Sequence, residues 1–125
     1  VTVETQNEEL RTALNALRDG ATADRHRRVA DAYRAAGIAD LAYDHYAAAR
    51  DLNSRDAAAY DGLARIWRDW GLPHLGIGEA RRALYYAPLS AAAHNTFGTL
   101  LFALDQRAPA RREFDGARIF LHRLH

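Results

Sequence analysis

Apolar and small residues recur along this chain with a period of 34 residues. We call residues at the same position of successive repeats a column. The clearest column consists of the small residues Ala30, Ala64 and Gly98. Each of these residues belongs to a face with the i, i+3, i+4, i+7 spacing of an amphipathic helix. These faces consist of His26, Val29, Ala30 and Tyr33, then Tyr60, Leu63, Ala64 and Trp67, then His94, Phe97, Gly98 and Leu101.

A second helix follows in each repeat, because later columns keep the same period. Gly37, Gly71 and Asp105 stand where the first helix would close with a left-handed residue, which glycine adopts more readily than aspartate. The core positions of the second helices are Ala42, Tyr46 and Ala49, then Gly76, Ala80 and Ala83, then Ala110, Phe114 and Ala117. The predicted repeats are 23–56, 57–90 and 91–124.

The predicted fold class is all-α, since no stretch alternates apolar and polar residues as a β-strand does. Residues 1–22 contain a further predicted helix, with Leu10, Leu14 and Leu17 on one side. It is either a cap or part of an earlier, degenerate repeat. The chain begins at Val1 and contains no methionine, which indicates a fragment of a longer protein or a processed product.

The order of large, small and aromatic positions resembles the tetratricopeptide repeat family. The segment "HRRVADAYRAAGIADLAYDHYAAARDL" carries most of the family pattern, and "HNTFGTLLFALDQRAPARREFDGARIF" carries nearly as much. The second repeat departs from it with Gly76, and with Ala80 where an aromatic residue is usual. The resemblance implies a right-handed superhelical solenoid of antiparallel helix pairs. It also implies a protein-interaction module whose concave groove, lined by the first helices, binds a peptide or partner protein.

A polar face on the first helices, opposite the core stripe, is the predicted binding groove. Its arginines suit a peptide with carboxylates, because a guanidinium binds a carboxylate through two parallel hydrogen bonds. The alternative is a solvated face with internal salt bridges, Arg27 with Asp61 and Asp31 with Arg65. The predicted groove residues are Arg27, Asp31, Arg34, Asp61, Arg65, Arg68, Asn95, Thr99 and Phe102.

The sequence does not match the chaperone-binding subclass of the resembled family. Its chaperone-binding members hold a C-terminal carboxylate with a clamp of lysine, arginine and asparagine. The matching columns in this chain hold Arg27, Asp31, Gly62, Ala92 and Thr96, of which Arg27 alone is of the right kind. Recognition of chaperone tails is therefore not expected.

The sequence predicts no catalysis, cofactor or metal site. It has no cysteine, phosphate-binding loop or nucleophile motif. His26 and His94 fall in a core-facing column, His45 is expected on a helix surface, and His122 with His125 are too few for a structural zinc. The net charge is +1, with 17 arginines and no lysine, so neither nucleic acid nor an anionic membrane is an expected partner.

The C-terminal helix predicts a second interaction surface. Ile119, Phe120, Leu121 and Leu124 lie on a helix with no successor, and exposed apolar patches mark interfaces. This end would meet another copy, as a homodimer or assembly unit, or the continuation of a longer array. The module is alternatively a regulatory or docking domain of a larger enzyme. No signal or membrane-spanning segment is recognisable, and the compartment is not predicted.

Overall fold

A computed structural model describes residues 7–124, except for the side chains of residues 120 and 122–124. Within these residues the chain forms seven α-helices and no β-strand, so the all-α prediction is confirmed. The helices are α1 (Glu8–Arg18), α2 (Ala23–Ala35), α3 (Ala39–Leu52), α4 (Ala57–Asp69), α5 (Pro73–Tyr86), α6 (Ala91–Ala103) and α7 (Arg107–Leu124).

Local signals fix the helix starts. The side chains of Asn7, Thr22 and Ser90 accept hydrogen bonds from backbone N–H groups three residues later, at 3.0, 3.1 and 3.1 Å. These bonds satisfy donors that would otherwise lack a partner in the first helical turn. Helix α5 instead begins at Pro73, whose missing N–H is not needed at that position.

Left-handed residues close the first helix of each repeat, as predicted. Gly37 and Gly71 have φ angles of 82° and 76°. Asp105 occupies the equivalent position with a φ of 61°, in a region that is unfavourable for residues with a Cβ atom. The tight turns that follow begin the second helix of each pair.

The chain divides into two compact parts, an N-terminal half (Val1–Ala59) and a C-terminal half (Tyr60–His125). In the N-terminal half, α2 packs against both α1 and α3. The buried side chains of this half are mainly small or aromatic. The small residues let the helices approach closely, and the large ones fill the space between them. The buried residues include Leu10, Val29, Ala30, Tyr33, Ala42, Tyr46 and Ala49.

In the C-terminal half, α6 packs against α5 and α7. Its core forms around two groups of buried residues, Tyr60 with Ala83 and Ala93, and Ala64 with Ala80 and Leu100. Tyr60, Ala64, Ala80 and Ala83 belong to the predicted core positions, whereas Ala93 and Leu100 extend the core beyond the predicted face of α6.

The small-residue columns are sites of close approach between helices. A Cβ atom at Gly76 would lie 3.0 Å from the carbonyl oxygen of Ala64. A Cβ atom at Gly98 would lie 2.7 Å from the ring of Phe114. The small residue thus makes room for the backbone of the neighbouring helix at Gly76 and for a large aromatic ring at Gly98. The departure at Gly76 also has a physical reason, because even alanine would crowd the neighbouring backbone.

Candidate partner-binding surfaces

A row of arginines and threonines joins α4 to α6 in the C-terminal half. Arg65 Nε donates to Thr96 Oγ1 at 3.2 Å and lies 3.0 Å from Asp61 Oδ2. Arg68 Nη1 donates to Thr99 Oγ1 at 3.0 Å, and its Nη2 lies 3.5 Å from Asp69 Oδ1. The first helices of two successive repeats are therefore connected by hydrogen bonds between polar side chains.

The threonine hydroxyls are oriented by their own helix. Thr96 Oγ1 donates to the carbonyl oxygen of Ala92 at 3.1 Å, and Thr99 Oγ1 donates to that of Thr96 at 2.8 Å. Because each hydroxyl hydrogen is used in this way, the oxygen lone pairs accept from Arg65 and Arg68. We call Asp61, Arg65, Arg68, Thr96 and Thr99 the arginine–threonine row.

The row is partly open to solvent. The side chains of Arg65 and Arg68 are 34% and 30% exposed, whereas that of Asp61 is 13% exposed. Asn95 and Phe102 are exposed on α6, and Phe102 retains 59% of its surface. The structure therefore brings together four predicted residues, Asp61, Arg65, Arg68 and Thr99. It adds Thr96, which was not among the predicted groove residues.

Two predicted groove residues of the N-terminal half, Arg27 and Asp31, engage partners in that half. Arg27 binds Asp24 on its own helix, and its Nη1 lies 3.3 Å from Asp56 Oδ1. Asp56 is buried and also accepts from the backbone N–H of Ala59 at 3.2 Å. Arg27 is thereby held by two carboxylates other than Asp61, the partner named in the predicted alternative.

The remaining groove residues of this half are also tied to their surroundings. Asp31 accepts a hydrogen bond from the hydroxyl of Tyr46, on the second helix of the same repeat. Arg34 is half-buried and also interacts with its surroundings. Arg27 and Asp31 thus take part in polar contacts within the N-terminal half.

Two histidine pairs join first and second helices. His26 Nδ1 lies 2.9 Å from His45 Nδ1, and Tyr33 stacks on His45 with ring centroids 5.6 Å apart. Burial, followed by the nearby His26, lowers the pKa of His45 despite the opposing effect of Asp44. His45 is thus a packed residue, and the expectation of a surface histidine was wrong.

His94 occupies a similar place in the third repeat. Its Nδ1 lies 2.6 Å from Glu113 Oε2, and its Nε2 lies 2.8 Å from the carbonyl oxygen of Pro88. No group of three or more His, Asp or Glu suited to a metal ion occurs among the side chains described within residues 7–124. His26 contacts His45 between α2 and α3, and His94 contacts Glu113 between α6 and α7.

The predicted C-terminal interface is described in part. Ile119 and Leu121 are 48% and 45% exposed on α7. The side chains of Phe120 and Leu124, also assigned to this interface, lie outside the described residues. Within the described part of the chain, no helix combines the length and apolar character needed to cross a membrane.

Comparison with solved structures places the fold among helical repeat proteins of the tetratricopeptide type. One crystal structure of MamA matches with a TM-score of 0.70 and 20% identity over 79% of this chain. A second MamA structure matches with a TM-score of 0.75 and 17% identity over 94% of this chain. The chain spans 54% of the first MamA chain and 81% of the second. No protein-family profile matches the chain, and no curated protein does.

Proposed function

We propose that this protein is a non-catalytic interaction scaffold whose arginine–threonine row binds a partner segment rich in carboxylates. The observation that carries the proposal is the anchoring of Arg65 and Arg68 by Thr96 and Thr99. A guanidinium held by one edge can present its other N–H groups to a ligand with little further loss of conformational entropy.

The remaining donor capacity supports this role. Among the described residues, the polar contacts of Arg65 all involve Nε, so its four Nη–H donors remain available. Each Nη of Arg68 has one contact and a second N–H to offer. The two side chains stand one helical turn apart, a spacing that suits two successive acidic groups on an extended peptide.

The likeness to MamA supports a scaffold because stacked helix pairs provide an extended surface for partners. The neighbouring Phe102 would add an apolar contact at the end of the row, since it lies one turn beyond Thr99 on α6. Aromatic residues and arginine are enriched at protein–protein interfaces, and this surface combines the two.

The test uses a phage-displayed library of random dodecapeptides selected on the purified chain. Selected peptides should be rich in Asp and Glu. Their affinity should fall about tenfold or more in R65E/R68E, because attraction becomes repulsion. R81E/R82E is the matched control, since it changes two arginines on α5 by the same charge. Failure to select any acidic peptide, or equal affinity in the two double variants, would contradict the proposal.

A second candidate is self-association through the C-terminal helix. It is favoured by the exposure of Ile119 and Leu121 on the same helix. Light scattering after size exclusion should then show a mass above 14.0 kDa that rises with concentration. The variant I119S/L121S should remain at the monomer mass. A wild-type mass that stays at the monomer value over the whole concentration range would exclude this candidate.

A further inference from the structure

A second cationic surface lies at the α6–α7 turn. A groove of about 780 Å³ opens between the end of α6 and the first two turns of α7. Arginines and phenylalanines dominate its lining. The lining residues that matter for its chemistry are Phe102, Arg107, Arg111, Arg112, Phe114 and Asp115. We call this surface the basic groove.

Positive charge is in excess in the basic groove. It contains three arginines and a single carboxylate, Asp115, which lies 3.8 Å from Arg118 outside the lining. Arg107 contacts Asp105 at 3.2 Å, where both side chains are highly exposed and the contact is weak. Among the side chains described within residues 7–124, no carboxylate pairs with Arg111 or Arg112. The groove therefore carries positive charge that the described carboxylates leave uncompensated.

The apolar part of the groove is rigidly supported. The ring of Phe114 lies directly against Gly98, where a Cβ atom would come within 2.7 Å of it. The guanidinium of Arg107 lies over the ring of Phe102, 5.9 Å from its centroid. Two aromatic rings thus stand beside the arginines, and one of them is fixed by helix packing.

We propose that the basic groove binds an acidic peptide segment that carries one aromatic or aliphatic side chain between its carboxylates. The arginines complement the carboxylates, and the rings of Phe102 and Phe114 complement the apolar side chain. A short peptide fits better than a nucleic acid, because the charge is confined to one groove in a chain of net charge +1. The proposal does not depend on the arginine–threonine row.

The probe is a fluorescein-labelled synthetic peptide with a central Phe and three Glu on each side. The comparison peptide has the same sequence with Gln in place of every Glu. Fluorescence anisotropy is measured on the wild-type chain and on R111E/R112E, two exposed positions at which charge reversal should not disturb the core. R81E/R82E is the control, another adjacent pair of exposed arginines in the C-terminal half. Circular dichroism checks helicity in every variant.

The wild-type chain and R81E/R82E should bind the Glu peptide at least about tenfold more tightly than the Gln peptide. R111E/R112E should bind the Glu peptide more weakly than the wild type, and added salt should weaken wild-type binding. R65E/R68E removes the attraction of the arginine–threonine row and should still prefer the Glu peptide. Adding R111E/R112E to R65E/R68E should abolish that remaining preference, which separates this groove from the arginine–threonine row. Undetectable wild-type binding, unchanged binding by R111E/R112E, or tighter binding of a DNA oligonucleotide than of the Glu peptide would overturn the proposal.

Discussion

His94 Nδ1 lies 2.6 Å from Glu113 Oε2, and the same two repeat columns in the N-terminal half hold His26 and His45. In each case a polar pair joins the first helix of a repeat to the second. The two pairs occupy equivalent positions but differ in chemistry, an imidazole with a carboxylate in one repeat and two imidazoles in the other. The two pairs therefore lead to separate predictions.

The pair of His26 and His45 predicts that the N-terminal half loses stability in mild acid. The pKa of His45 is lowered below 6.5 in the folded state, mainly by burial and then by His26. As the pH falls below 6.5, the unfolded chain binds more protons than the folded chain, so the free energy of unfolding decreases. The loss continues until the pH passes the folded-state pKa.

The measurement is thermal unfolding of the wild type and of His45→Gln between about pH 7.5 and about pH 5.5. Glutamine can accept a hydrogen bond from His26 or donate one to it, but it does not titrate. The melting temperature of the wild type should fall more steeply with acidification than that of the variant. Parallel curves for the two proteins would refute this role for His45.

The second pair predicts a graded response to changes at Glu113. Replacing it by alanine leaves His94 Nδ1 without its acceptor in a partly buried position, which should cost about 1–2 kcal/mol. Glu113→Gln retains a carbonyl oxygen in place and should cost less. Urea denaturation measures both, and an equal loss in the two variants would show that the contact contributes nothing specific.

Two glycines of α5 predict changes of opposite sign. A Cβ atom at Gly78 would meet open space, so Gly78→Ala should stabilise the protein by about 0.5–1 kcal/mol through helix propensity. At Gly76 a Cβ atom would lie 3.0 Å from the backbone oxygen of Ala64, so Gly76→Ala should destabilise it by about 1–3 kcal/mol. The comparison uses urea midpoints, and stabilisation by both substitutions would contradict the close approach of α4 and α5.

Asp105 predicts a stabilising substitution. Its φ of 61° places a residue with a Cβ atom where Gly37 and Gly71 stand in the other repeats. Asp105→Gly should raise the free energy of unfolding by up to about 1 kcal/mol, less the small contribution of its exposed contact with Arg107. Gly71→Ala should lower stability at the equivalent position. Destabilisation by Asp105→Gly would mean that the contact with Arg107 stabilises the protein by more than the left-handed backbone conformation of Asp105 costs.

Much of the fold was predictable from the sequence. The order of apolar and polar residues indicates the helices, and the size of the residues indicates where two helices approach closely. Ala64, Gly76 and Gly98 occupy core columns that the period alone identified, and the structure buries all three. The left-handed residues at the repeat turns were predictable for the same reason, since glycine is the residue that such a backbone conformation favours.

The candidate site was less predictable, because hydrogen bonds depend on side-chain direction. Arg65 and Arg68 were assigned to a surface, but the bonds to Thr96 and Thr99 require knowing how α4 lies beside α6. His45 was misplaced because a histidine fits both a solvated and a packed face, and only its approach to His26 decides between them. The sequence did hold one signal for these contacts. His26 and His94 occupy the same position of their repeats, and each has a polar residue, His45 or Glu113, 19 residues later.

The most direct test of the central proposal is an NMR titration with an acidic peptide from the selection described above, using the nitrogen-15-labelled R111E/R112E chain so that the basic groove does not bind the peptide. Amide shift changes should centre on Arg65, Arg68, Thr96 and Thr99, and they should disappear when R65E/R68E is added but persist when R81E/R82E is added. Shift changes that centre on another part of the chain, or that persist when R65E/R68E is added, would contradict the assignment of the arginine–threonine row as the partner surface.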